Sequence, residues 1–193
     1  MKKSLSLCLV LTSTLLLAGC SQKFEPTEST IFVTSKGVVK SAIMESFDKG
    51  YYNFEELSAD VQNMVQEYCS AGNENAIVME SIVESNDMVT LQMQYETVED
   101  YTEFNDMILF SGTLSEAEAA GYILGEMYDT EGQLAEIAEE EKSTLKVIIT
   151  EESVCIQTSK KIRYISDNVT MIDKKLARAL EAGVDHLAFI VYK

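Results

Sequence analysis

Residues 30–47 (TIFVTSKGVVKSAIMESF) hold two β-rich runs on either side of polar Ser35-Lys36-Gly37. A break of that kind between two β-rich runs predicts a hairpin. A helical period follows. Leu57, Val61, Met64, Val65 and Tyr68 recur at helical spacing, Asn53 and Glu56 stand at capping-box distance before them, and Gly72 ends the run. Residues 76–85 and 88–96 predict a second hairpin around Asn86-Asp87. Thr97 predicts a cap for a short helix through Phe104, with Val98, Tyr101 and Phe104 turned inward. Ser115 and Glu118 repeat the capping-box spacing, with Gly121 or Gly125 as the stop. Residues 131–142 predict an acidic surface helix with Leu134, Ile137 and Ala138 as a narrow apolar stripe.

From Leu145 onward the chain predicts strands at LKVIIT, SVCIQT, KIRYIS, VTMI and HLAFIVYK. No sustained β-α-β alternation occurs. The expected fold is a single α+β domain, mainly an antiparallel sheet with several helices on one face.

The remaining apolar run, residues 5–18, follows Lys2 and Lys3 and ends in Leu17-Ala18-Gly19-Cys20. A spanning helix needs about 20 apolar residues, whereas a secretory apolar region needs only about 7–15. The four residues ending at Cys20 resemble the bacterial lipobox. The resemblance implies diacylglyceryl transfer to the Cys20 sulfur and signal cleavage between Gly19 and Cys20. A nucleophilic thiolate is the group that forms such a thioether, and two acyl chains hold a protein stably where one is marginal. The expected organisation is a signal peptide over 1–19, a lipid-anchored tether over 20–29, and an extracytoplasmic domain over 30–193. The expected site is the outer face of the cell membrane.

Charge changes the picture next. After residue 19 the chain holds 13 Lys/Arg against 32 Asp/Glu. That balance argues against nucleic acid, whose affinity comes from cations neutralising phosphates, and against a body lying flat on anionic lipid. The acid is also segregated. Residues 45–141 hold 24 Asp/Glu and the single Lys49, whereas residues 142–193 hold nine Lys/Arg and six Asp/Glu. The plain reading is a solvated acidic face balanced by cations of the C-terminal strands; the sharper one is an oriented dipole that selects a cationic partner, such as an envelope protein, or metal ions.

Candidate chemistry is sparse. His186 is the only histidine, which with so few cysteines leaves no four-ligand zinc set, and no cofactor motif occurs. Ser46-Phe47-Asp48-Lys49 matches S-x-x-K and Ser166-Asp167-Asn168 matches S-D-N, but the third acyl-enzyme signature, K-T-G, is missing. Cys69 and Cys155 are the disulfide candidates once Cys20 is assigned to lipid. Tyr51, Tyr52, Tyr95, Tyr101, Tyr122 and Tyr128 lie in the acidic half, and tyrosine favours protein interfaces.

Residues 30–57 (TIFVTSKGVVKSAIMESFDKGYYNFEEL), 94–122 (QYETVEDYTEFNDMILFSGTLSEAEAAGY) and 161–175 (KIRYISDNVTMIDKK) together resemble a set of clostridial lipoproteins. The resemblance implies a Gram-positive cell surface and no particular activity. The function expected is therefore a lipid-anchored binding or structural module, not an enzyme. A solute-binding accessory of a transporter is the alternative, and a hydrolase the remotest.

Overall fold

The β-rich run after Ser29 folds as a hairpin of β1 (Thr30–Val33) and β2 (Val39–Ser46), paired Val33↔Val39 through Thr30↔Ala42. Gly37 takes the turn position at φ 85°, a left-handed value that a Cβ would strain. The computed structural model that shows this describes residues 24–72 and 74–193. Helix α1 (Phe54–Ala71) follows, its first turn held by the Asn53 side chain, which accepts from the N–H groups of Glu55 and Glu56 at 3.0 and 3.1 Å. Glu55 and Glu56 complement the positive end of the helix.

The second hairpin, β3 (Ile77–Ser85) and β4 (Met88–Tyr95), closes on Asn86 and Asp87 at φ 53° and 58°. Those angles suit a two-residue turn that follows the strand twist. Helix α2 (Val98–Asn105) is capped reciprocally by Thr97 and Asp100. Next come β5 (Leu109–Thr113) and α3 (Leu114–Ala119). The α3 capping box uses Thr113 and Glu116, two residues before the expected Ser115 and Glu118. The chain leaves β5 directly into the helix, so the last strand residue becomes the cap.

Residues 131–142 form no α-helix, contrary to expectation. Asp129 accepts from the N–H groups of Glu131 and Gln133, both at 2.9 Å, and Gly132 sits at φ 81°. This local turn joins β6 (Met127–Asp129) to β7 (Leu134–Ala135), and a single 3-10 turn at Glu139–Glu141 follows. The side-chain–backbone bonds of Asp129 win over a stripe of three apolar residues. The remaining strands are β8 (Lys146–Thr150), β9 (Cys155–Thr158), β10 (Ile162–Ser166), β11 (Val169–Asp173), β12 (Leu176–Ala179) and β13 (Ala188–Tyr192).

These strands make two sheets instead of the one expected. The larger runs β11-β12-β9-β1-β2-β4-β3 and the smaller β5-β8-β13-β10-β6-β7. All pairings are antiparallel except β1 with β9. One core joins the two sheets: Ile31, Val33, Ile156 and Ala177 from the larger meet Ile148, Ile162, Ile190 and Tyr192 from the smaller. Alternate residues of the smaller sheet, including Val147, Ile149, Phe189 and Val191, face a second core with Leu114 and Ala117 of α3. Burial on both faces explains why β8 and β13 read as continuous apolar runs. The helices are divided accordingly. Residues of α1 and α2 (Val61, Val65, Tyr68, Val98, Phe104) join the first core, and α3 joins the second.

Since Ile31 and Val33 face the first core, Phe32 points to the other side of the larger sheet. It is nonetheless only 2% exposed. The cover comes from residues 24–29, the stretch expected as tether. The Phe24 ring stacks on Phe32 at 6.0 Å, the Glu28 carboxylate pairs with Arg178, and Met44 N–H donates to Ser29 Oγ at 2.9 Å. These residues form a strap along the sheet.

Candidate interaction surface

The far end of β2 carries the most exposed aromatic group of the described residues. Beyond the last pair, Ser46↔Met88, the Phe47 N–H donates to Asp87 O at 2.7 Å, and the Tyr52 N–H donates to Lys49 O at 2.9 Å. The tight turn between them brings three rings together. Phe47 stacks on Tyr52 at 4.8 Å, and Tyr51 meets Tyr52 edge-on at 4.9 Å. Tyr51 is 79% exposed and Tyr52 43%. Tyr51, above all, holds the Tyr52 phenol above its ordinary pKa, with partial desolvation and Asp48 adding to it.

Acid surrounds these rings. Glu45 and Asp48 flank Phe47, Glu55 and Glu56 open α1, and Glu84 and Asp87 come from the β3–β4 turn at the same end of the sheet. The one nearby cation, Lys49, pairs with Asp48 at 3.3 Å. Met88 and Val83 add exposed apolar surface on the adjoining strands. Exposed rings with electron-rich faces inside a rim of carboxylates suit a cationic protein surface.

The six tyrosines grouped by sequence are thus separated by the fold. Tyr95 and Tyr101 are buried against each other at 4.9 Å, and the Tyr101 hydroxyl donates to Glu152 Oε1 at 2.5 Å. Tyr122 packs on Phe110 at 5.1 Å, and the Tyr128 hydroxyl donates to Glu126 at 2.9 Å. Phe47 is the tip residue that the sequence reading left out. Its position in an acid-flanked aromatic loop, SFDKGYYNFEE, was the available signal.

Cys69 and Cys155 are both free thiols, so the candidate disulfide is absent. Cys69 lies on α1 and donates to Ile77 O at 3.5 Å. Cys155 pairs in register with Thr30, on the strap side of the larger sheet, so the two are on opposite faces. Burial above all pushes the Cys155 thiol pKa up, and Glu28 adds to the rise while Arg178 opposes it. Gly19 and Cys20 lie outside the described residues.

The acyl-enzyme matches do not converge. Ser46 ends β2, opening no helix. The Ser166 hydroxyl donates to Asn168 Oδ1 at 2.6 Å and accepts from Phe189 N–H at 2.9 Å, while Asn168 donates to His186 O at 3.1 Å. These bonds tie β10, β11 and the turn before β13 together, a structural use of all three side-chain groups. The His186 ring faces Asp167 at 3.4 Å on the surface, beside an open groove of about 580 Å³. Among the described residues, no three His, Cys, Asp or Glu side chains are grouped to hold a metal ion. No helix there is long and apolar enough to cross a membrane.

Compared with known proteins, the chain matches no family model, and no curated protein or solved structure is significantly similar to it.

Proposed function

We propose that this protein is a bacterial lipoprotein, held to the outer face of the cell membrane through lipid on Cys20, that binds a cationic envelope protein. The observation that carries the binding reading is the tip: Tyr51 and Tyr52 exposed beside a half-buried Phe47 and flanked by carboxylates. Stacked rings lose little side-chain freedom on binding, so an exposed cluster of them makes an efficient anchor. The lipobox-like residues ending at Cys20 and the resemblance to clostridial lipoproteins support the placement at a Gram-positive surface. Binding is favoured over catalysis because Ser166 and Asn168 are engaged in local structural bonds, and Ser46 opens no helix. A solute-binding accessory of a transporter stays second, its support limited to open grooves such as the one of about 740 Å³ between α1 and β3.

The test is capture of partners from envelope extract by the intact protein and by Tyr51→Ala/Tyr52→Ala. Capture should fall at least tenfold in the variant, about 1.4 kcal/mol, while the melting temperature is unchanged. It should also weaken from about 0.05 to about 0.5 M salt, as screening shortens the reach of the rim charges. Equal capture by both proteins would remove the tip from the function.

A further inference from the structure

Cations are few in this chain, and the topology gathers them. At one end of the larger sheet, β1 ends at Val33 beside the end of parallel β9 at Thr158, and β12 begins at Leu176 opposite Gln157. The turns leaving this end carry Lys36, Lys160 with Lys161, and Lys174 with Lys175. Backbone bonds tie them together: Thr158 N–H to Lys175 O at 2.8 Å, Ile162 N–H to Lys174 O at 2.8 Å, and Lys193 N–H to Lys161 O at 3.0 Å. All six lysines are exposed. Among the described residues, the cation–carboxylate pairs use Lys40, Lys49, Lys142, Arg178 and His186, and none of these six. Asp173 is the acid among these turns, and Glu25 follows Phe24 on the strap. Glu74 and Glu96 lie farther along, beyond β2.

The strap leads to the same place. Glu28 pairs with Arg178, which is in register with Cys155, whereas Phe24 stacks on Phe32, which is in register with Gln157. Followed backwards from Glu28 to Phe24, the chain therefore climbs the sheet toward the lysine turns. Only residues 21–23 then separate Phe24 from Cys20, a reach of at most about 14 Å.

We infer that the lysine end of the larger sheet lies on anionic phospholipid head groups, turning the acidic aromatic tip away from the bilayer. This rests on the lipid-anchor reading, because the short reach from Cys20 is what brings that end to the surface. The balance of 13 Lys/Arg against 32 Asp/Glu after residue 19 argues against any such contact. Head groups, however, respond to charge within a Debye length, about 8 Å at physiological salt. The tip lies at the other end of β2, whose eight residues span roughly 25 Å. Local charge decides, and locally it is positive.

The experiment reconstitutes the full lipidated protein on vesicles and reads lysine acylation by mass spectrometry. On phosphatidylglycerol–phosphatidylcholine vesicles at about 0.1 M salt, Lys160, Lys161, Lys174 and Lys175 should react about threefold or more slowly than on pure phosphatidylcholine. Lys49, at the tip, should react equally on both. The difference should vanish at about 1 M salt. Equal rates on the two vesicles, or protection that persists on neutral lipid or at high salt, would overturn the inference. A second variant keeps the result independent of any one amine: Lys160→Gln/Lys161→Gln/Lys174→Gln/Lys175→Gln should abolish the phosphatidylglycerol-dependent protection of Lys36, and protection that survives would contradict the assignment. Flotation with pure phosphatidylcholine vesicles reports the anchor by itself. A protein that fails to float there lacks the lipid and overturns the anchor reading and this inference with it, whereas one that floats but shows no phosphatidylglycerol-dependent protection overturns this inference alone.

Discussion

Glu152 is the residue whose chemistry the fold alters most tellingly. Burial, first of all, raises its carboxyl pKa; Glu151 adds to the rise, and the Tyr101 hydroxyl donating to it opposes the change. The native state thus holds this proton more tightly than the unfolded chain does. The stability linked to Glu152 is present below the unfolded value, about 4.3, and is lost as pH rises through the raised folded value. Glu152→Gln keeps an acceptor for Tyr101 and carries no charge. The melting temperature of the variant minus that of the parent should therefore increase between about pH 4 and about pH 7. A difference that stays constant across that range would show that the carboxyl is not desolvated. Tyr101 works in the same direction at alkaline pH, since burial and Glu152 both hold its phenol protonated.

Residues 24–29 act as an element although they form no strand of their own. A chain begun at Thr30 would lose the Phe24–Phe32 stacking, the Glu28–Arg178 pair and the Ser29–Met44 bonds. A half-buried ring and an exposed ion pair together suggest a loss of about 2 kcal/mol. At this chain length that corresponds to a fall of roughly 4–8 °C in melting temperature. Alkylation of Cys155 should accelerate in the same chain while that of Cys69 does not. An unchanged melting temperature and thiol rate would show the strap to be passive. At α3, Thr113→Ala removes the side chain that accepts from Glu116 N–H at 3.1 Å and should cost about 1 kcal/mol, read by denaturant unfolding. No loss there, with a loss from Ser115→Ala instead, would restore the register expected from sequence.

Elements differ in how far they could be read from the chain. The two hairpins and α1 were legible because their signals are local: paired β-rich runs, a turn needing left-handed backbone, a cap before a 3.6-residue period. Strand β12 (Leu176–Ala179) was not, because LARA carries helix-favouring residues and only its pairing with β9 and β11 makes it extended. Strand β5 was hidden in the same way, with Ser111 and Gly112 inside it. The division into two sheets was illegible too, since periodicity tells which residues are buried and not what buries them. For the sites, the lipobox resemblance is wholly local and the tip nearly so. The lysine end appears only when β1, β9 and β12 are laid side by side.

At the scale of the whole molecule, the uneven charge along the chain becomes a polarity in space. The acidic residues that flank Phe47, Tyr51 and Tyr52 occupy one end of the larger sheet, and exposed lysines gather at the other. The proposed lipid anchor, leaving beside the lysines, would give that polarity a direction relative to the membrane, with the tip outward. The account thus depends most on Cys20. Its direct test is the mass of the N-terminal peptide of the native protein isolated from membranes. The account predicts a chain that begins at Cys20 with diacylglyceryl on its sulfur, and a Cys20→Ala variant that is left unprocessed or released. A native chain that retains Met1 with Cys20 unmodified, or one cut elsewhere and recovered in the soluble fraction, would contradict it.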